Sequence, residues 1–317
     1  MSVEIPLLDR ALVLATVSIE AAIDGVREAF VRHHRGEWQM PPKVYLPSPP
    51  HGDFRAMPAR GDDLALLKWV TSFPGNPQLG LPTVTGIIII SDAVSGAPLA
   101  LIDAQAVTAL RTGAVAAVAT QALARDGATT VGLIGCGQNG AWAGRSLAAA
   151  GYGPGICVDP QPQAAEALAA ELGWRAGDRA EALAADVVCC VTPGSEVVVT
   201  AADLRPGMHL NMLGADSAEK AEASIDAVVA CTLFCDEWAQ AAHGGELSGA
   251  VAAGLIDREQ VTELGAVLTG EAPGRPGPEA VTMFDSTGTA IQDLAIGALL
   301  MSAWRAGRMA GAQTVRL

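Results

Sequence analysis

The segment TTVGLIGCGQNG at 129–140 constrains the fold more than any other stretch of the chain. TTVGLI reads as a short buried strand, and it runs into Gly135, Gly137 and Gly140 in the spacing GxGxxG before an Ala-rich run that reads as a helix. In such a unit the first glycine permits the tight turn, the second lets backbone approach a pyrophosphate, and the third allows close helix packing. The helix start adds unpaired N–H donors and a partial positive charge. The next strand, GICVDP, closes on Asp159, 24 residues beyond Gly135, near the ~20 expected of a ribose-binding acid. Pro160 and Gln161 follow it, with no Lys or Arg to meet a 2′-phosphate, so the pattern favours NAD over NADP. A glycine turn that served packing alone would leave Asp159 unexplained.

The surroundings of this unit divide the chain into two styles. At 317 residues it exceeds the size at which one core keeps growing, so two domains are expected. From about Thr112, helix and strand alternate: TGAVAAVATQALA, TTVGLI, a helix through Ala150, GICVDP, a helix through Leu172, DVVCCVT, GMHLNMLGAD, a helix over AEASIDAVVA, CTLFCDE and VTMFDSTG. That alternation signals a parallel sheet. Upstream, a helix over SIEAAIDGVREAFVRHHRGE precedes short strands in KVYLPSPP, FRAMPA and ALLKWV, and GIIIISD with LALID forms a hairpin turning at Val94–Ala97. The Pro/Gly patch APGRPGPEA at 272–280 is a candidate boundary, and a last helix is expected at about 289–306.

Charge and composition exclude several classes. A net charge of −14 repels nucleic acid and anionic membrane, and the six tryptophans are scattered singly without a basic patch. The N-terminal residues lack a basic n-region and cleavage site, and no 18-residue apolar run free of charge and turn residues is evident, so a cytoplasmic protein is expected. The six cysteines lie mostly in apolar strand-like runs and read as reduced core thiols. Cys231 and Cys235 have only His243 after them, in a Gly-rich turn, and no second pair completes a zinc set; no metal is expected. His33 and His34 suit the last turn of a helix.

Against this acidic background the first domain carries cations inside short, mostly apolar strands: Lys43 in PPKVYLP, Arg55 in FRAMPA and Lys68 in ALLKWV. A buried cation needs a partner, and these strands suggest none, so the set reads as a site awaiting an anionic substrate. The alternative is that each stem packs over the sheet with its head in water.

These stretches, together with LKWV and the following FPGNP and LPT, ALRTGAVAA, GLIGCG, GMHLNMLGAD, AHGGEL and VTMFDSTGTAIQD, resemble the ornithine cyclodeaminase/mu-crystallin family over nearly the whole chain, most of all its archaeal-type alanine dehydrogenase members. The resemblance implies an α/β fold in which a Rossmann dinucleotide-binding domain, 112–288, is inserted in an α+β substrate and dimerisation domain, 1–111 plus 289–317, of a homodimer. It makes Lys68 the catalytic lysine and Asp216 the acid/base carboxylate, with Lys43 and Arg55 on the substrate carboxylate. Arg111, followed by Thr112, opens a helix facing the cofactor phosphates. Ser286 contacts the nicotinamide side, and Thr83, Gln138, Asn139, Thr192, Gly214 and Lys220 line the cofactor or its mouth. For Asp216 a helix N-cap is the plainer alternative, since AEKAEAS follows closely.

Oxidising an amino acid at Cα requires a neutral amine before hydride transfer and water on the imine carbon afterwards, and both steps need a base. Asp216, or Lys68 with its pKa lowered, suits that task. Cyclodeaminase members carry a glutamate where Arg55 stands, which disfavours cyclisation of a diamino acid and favours a small amino acid such as L-alanine. A ketimine or cyclic-imine reductase, a dehydrogenase of N-substituted amino acids and a non-catalytic dinucleotide-binding protein remain as alternatives.

Overall fold

The computed structural model describes residues 4–194 and 196–316. Contacts divide the chain into two compact units, one running to Arg111 and resuming at Thr289, the other Thr112–Gly288. Each has its own sheet, and the fold is α/β, with one mixed and one parallel sheet.

The first unit's sheet comprises β1 (Glu4–Leu8), β2 (Val44–Ser48), β3 (Gly52–Gly61), β4 (Leu64–Ser72), β5 (Val84–Asp92), β6 (Pro98–Asp103) and β15 (Gln313–Arg316), in the order β15-β1-β6-β5-β4-β3-β2. Strands β2 to β6 form an antiparallel meander, including the expected β5–β6 hairpin, while β1 joins β6 in parallel and β15 antiparallel. Period-two alternation sorts their side chains. In β4, Leu64, Leu66, Lys68 and Val70 are buried on one face, whereas Leu67 and Trp69 are exposed on the other. The buried face packs under the helix Ala290–Arg305, which also lies along the helix Ile19–His34. Ile88 and Ile90 of β5 join it, each such side chain contributing about 1.5–3 kcal/mol. Ser18 caps the helix Ile19–His34 by accepting from the Ala21 N–H, and Arg32, His33 and His34 stand in its last turn, where the helix dipole favours them. The opposite sheet face is open and apolar: Val44, Leu46, Leu67, Trp69 (42% exposed), Ile87 (56%) and Ile89 lie on it, with Phe54 stacked on Trp69.

The second unit's sheet is parallel throughout: β7 (Val131–Ile134), β8 (Gly155–Val158), β9 (Arg175–Ala176), β10 (Val187–Cys190), β11 (His209–Met212), β12 (Thr232–Cys235), β13 (Val261–Glu263) and β14 (Thr282–Asp285), in the order β13-β12-β14-β11-β10-β7-β8-β9. Its central strands are continuous buried runs such as VGLI and VVCC, as strands covered on both faces require. Strand order reverses between β7 and β10, which is where doubly wound sheets open a crevice at their carboxyl ends. All six cysteines are free, Cys231 half-buried and the rest buried.

Three expectations need correction. The helix expected to open at Arg111 starts seven residues earlier and spans Ala104–Leu123, because the Asp103 carboxylate accepts from the Ala106 N–H and caps it. By length and composition that helix could cross a membrane, but 78% of its most apolar window is buried inside the protein. The helix over AEASIDAVVA shrinks to Ile225–Val229; ahead of it, Ala221 donates to Gly194 O, the Val198 and Val199 N–H groups donate to Glu222 O, and Ser224 donates to Val199 O. Backbone held this way cannot form helical bonds. The patch 272–280 is no boundary, since it leads into β14 between β11 and β12. Arg275 pins it by donating to Leu123 O (2.8 Å), Met208 O (2.9 Å) and Thr282 Oγ1 (2.8 Å).

Candidate functional site

Lys68 faces the helices because it shares its parity with Leu66 and Val70. It is 2% exposed, and its Nζ donates to Thr108 Oγ1 at 2.6 Å and to Asp293 Oδ1 at 2.9 Å. Asp293 is 0% exposed and stands in the first turn of the helix Ala290–Arg305. Arg111, inside the helix Ala104–Leu123, brings its Nε to 3.7 Å from the same Oδ1 and its Nη1 to 3.4 Å from Gln292 Oε1. Burial draws the Lys68 pKa down to about 8; Arg111 and Arg55 push the same way, and Asp293 opposes them. Such an ammonium gives up its proton far more readily than an ordinary lysine.

Arg55 lies on the same face, diagonal to Lys68 through the pairings Met57↔Lys68 and Arg55↔Val70. The expectation of cations without carboxylates is wrong for Arg55 and for Lys68. Arg55 is gripped by Asp53, two residues away, through Nε–Oδ1 at 2.6 Å and Nη2–Oδ2 at 3.1 Å, and Lys68 by Asp293. A desolvated cation needs its counter-charge before any ligand arrives. The Arg55 guanidinium also lies 5.3 Å from the Tyr45 ring centre, whereas Lys43 is half-exposed just before β2. Thr83 precedes β5, and its carbonyl accepts from the Phe73 N–H.

In the second unit the glycine loop follows β7. Gly135 has φ of +96°, and a Cβ there would meet Val191 O at 2.5 Å. A Cβ on Gly140 would stand 1.8 Å from Gly135 O, while at Gly137 nothing lies within 4 Å. The helix Gln138–Ala149 begins without a side-chain cap, and the space over Gly137 is open. Asp159, after β8, accepts from Cys136 N and Gln161 N, both at 2.8 Å, fixing the loop and the acid together. This donor-rich, uncapped and sterically open turn fits a dinucleotide pyrophosphate with a ribose beside Asp159.

The carboxyl ends of the remaining strands are tied by acids that no motif or spacing in the sequence marks. Glu222 accepts from Thr192 N (2.6 Å) and Gly214 N (2.7 Å), joining two residues expected to line the cofactor. Glu246 takes the Glu222 and Ala223 N–H groups, and burial pushes its pKa up to about 7. Burial also holds Asp285 well above the usual carboxylate range, helped by Asp236 and Glu246. Asp236 gathers the exit of β14, accepting from Thr287 Oγ1 (3.0 Å), Gly288 N (2.9 Å) and Ser286 Oγ (3.3 Å). Asp216 is half-buried in a non-helical run and pairs with Lys220 at 2.6 Å; no helix begins there, so the N-cap alternative is excluded. His243 is exposed in the short helix Trp238–Gly244, its Nδ1 3.0 Å from Ala239 O, rather than in a plain turn. Among the described residues no cluster of His, Cys, Asp or Glu has the makings of a metal site.

A Rossmann-type unit carrying a dinucleotide cradle, and a separate sheet carrying a buried, carboxylate-paired lysine, define the class of protein. The chain belongs to the ornithine cyclodeaminase/mu-crystallin family, whose model matches residues 6–308. It is 39% identical over 297 residues to the alanine dehydrogenase of Archaeoglobus fulgidus, covering 92% of each chain. Among solved structures it is similar to an archaeal alanine dehydrogenase dimer with bound NAD, at TM-score 0.93 and 36% identity over 99% of each chain. It is also similar to the Thermococcus litoralis Delta(1)-pyrroline-2-carboxylate reductase in complex with NADH and L-proline, at TM-score 0.92 and 26% identity over 98% of this chain and 100% of that one.

Proposed function

We propose that the protein is an NAD-dependent dehydrogenase of a small L-amino acid, interconverting L-alanine with pyruvate and ammonia. The observation that carries this reading is Lys68: a lysine buried on a sheet face and drawn to about 8 is a base available to a substrate amine. In this scheme neutral Lys68 takes a proton from the substrate ammonium, while Lys43 and Arg55 hold the carboxylate so that Cα keeps one orientation. Hydride transfer from Cα would be to NAD, the acceptor that the bound cofactor would supply. Asp216 then takes the proton of the water that adds to the imine carbon, and ammonia leaves. Gly135, Gly137, Gln138, Asn139 and Gly140 would hold the pyrophosphate and Asp159 the ribose. Ser286 would meet the nicotinamide side, Arg111 and Thr112 the phosphates, and Thr83, Thr192, Gly214 and Lys220 would line the cofactor or its mouth.

The partner is a second copy of the chain. The open face bearing Val44, Leu46, Leu67, Trp69, Ile87 and Ile89 is a contiguous apolar surface of a kind monomers rarely leave in water, and the similar archaeal alanine dehydrogenase is a dimer. The same reading makes the enzyme cytoplasmic. Absorbance at 340 nm tests the activity, with NAD plus L-alanine in one direction and NADH plus pyruvate and ammonia in the other. A second reading, a cyclic-imine reductase, draws on the likeness to the pyrroline-2-carboxylate reductase; activity confined to cyclic imines with NADH would select it. NADH binding without turnover of any amino or imino acid would leave a binding protein.

A further inference from the structure

We propose that Asp293 recognises the nitrogen of the substrate, holding Lys68 with Oδ1 and accepting an N–H of the substrate amine or iminium with Oδ2. The inference rests on the amino acid dehydrogenase reading and adds to it the residue that separates a nitrogen substrate from an oxygen one.

Three facts carry it. Asp293 is wholly buried, and its Oδ1 is engaged by Lys68 at 2.9 Å with the Arg111 Nε 3.7 Å away. Its Oδ2 has no hydrogen-bond partner among the described residues. Buried polar atoms are otherwise almost always bonded, so an acceptor left open on a carboxylate whose other oxygen holds Lys68 implies a ligand that donates to it. An amino acid supplies it in its ammonium, which only donates.

The chemistry of the reacting carbon makes this selective. The oxidised substrate is an iminium, a cation whose N–H bonds lie in the plane of the double bond, and a carboxylate accepting one of them forms a charge-assisted hydrogen bond. A ketone oxygen in its place carries no proton and would set lone pair against lone pair at Oδ2. A 2-hydroxy acid offers one neutral O–H and brings no positive charge. Among the described residues that bond Lys68 or act on its charge are Thr108, Arg111, Arg55 and Asp293, of which Asp293 is the carboxylate.

The test compares nitrogen with oxygen in otherwise identical ligands. The enzyme is loaded with NADH, so that reduced ligands bind without reacting, and the dissociation constants of L-alanine and L-lactate are measured by calorimetry for the wild type and Asp293→Asn. L-Proline and tetrahydrofuran-2-carboxylate form the matching pair for a cyclic substrate. The expected result is a loss of about ten- to a hundredfold in affinity for the amine, with the oxygen analogue changed less than about threefold, both ligands keeping the carboxylate contacts. Equal losses for both members, or no loss for the amine, overturn the proposal. Should Asp293→Asn not fold, Asp293→Glu, which keeps the charge and moves the oxygens, makes the same comparison. Wild-type protein that binds NADH but neither amine removes the dehydrogenase reading itself, and with it this proposal, before any variant is made.

Discussion

Replacing Lys68 with Met keeps the bulk of the stem and deletes the ammonium, which turns the burial of Asp293 into a measurable liability. The carboxylate is 0% exposed, and its bond to Lys68 is 2.9 Å long. Removing one partner of such a pair strands the other charge in a medium that cannot solvate it, at about 3–5 kcal/mol. With a urea slope of about 1–3 kcal/mol/M, the unfolding midpoint should fall by on the order of 2 M. The double variant Lys68→Met/Asp293→Asn removes the stranded charge and should recover most of that loss, to within about 1 kcal/mol of the wild type. Turnover stays orders of magnitude down in both, because the base is gone. Urea unfolding followed by far-UV circular dichroism gives the stabilities, and the 340 nm assay the rates. If the single variant unfolds within about 1 kcal/mol of the wild type, or the double variant is no more stable than the single, the pair is not desolvated as described and the reasoning fails.

The glycine loop should respond to methyl groups by position: Gly137→Ala folds, having nothing within 4 Å of its Cβ, and raises the KM for NAD, whereas Gly140→Ala, at 1.8 Å from Gly135 O, loses soluble protein. Equal behaviour of the two variants contradicts the cradle. Asp159→Ser should weaken NAD by about tenfold or more and narrow the preference over NADP; an unchanged NAD/NADP ratio of kcat/KM removes the ribose assignment. With Lys68 near 8, kcat/KM for amine oxidation should climb up to about pH 8 and level off above it, as the unprotonated fraction grows; a flat profile between pH 6 and 9 by stopped-flow excludes Lys68 as the base. His209 Nε2 donates to Asn211 Oδ1 (3.2 Å) and its Nδ1 lies 2.9 Å from Thr282 Oγ1, and burial, with Arg275 nearby, takes its pKa down to about 3. The folded state then binds fewer protons than the unfolded one, whose histidine titrates near ~6.5, so this stability is present above that pH and lost as pH falls toward about 3. His209→Gln should flatten the fall in urea midpoint between pH 7 and 4, and an identical slope in the variant rules the histidine out.

What could be read from the sequence was local. TTVGLIGCGQNG and its acid lie within 31 residues of one another, from Thr129 to Asp159, and strand, turn chemistry and helix each leave a signature in that window. Lys68 stood out because alternation in ALLKWV gives it the same face as Leu66 and Val70. Its partner did not, being 225 residues away, although a carboxylate in the apolar run TAIQDLAIGALL was a signal that a buried cation existed somewhere to meet it. Asp53 was legible beside Arg55 and was passed over. Arg111 was misplaced because the Asp103 cap lies upstream of an apolar helix with no break at Thr112. Strands β9, β13 and β15 are two to four residues long and owe their existence to neighbours, as do Glu222, Glu246 and Asp236, whose bonds run to loops distant in sequence.

The bond between Lys68 and Asp293 also sets a timetable. A ribosome extrudes β4 long before the helix Ala290–Arg305, and the whole of Thr112–Gly288 emerges in between. Until that helix arrives the first sheet lacks the cover for Leu66, Ile88 and Ile90, and the lysine has no carboxylate to permit its burial. The intervening unit holds all eight of its strands within its own span and can fold while the earlier one waits. A nascent chain stalled before Thr289 is therefore a folded nucleotide fold trailing an open, cation-bearing sheet, a species in which chaperones and proteases find their substrate.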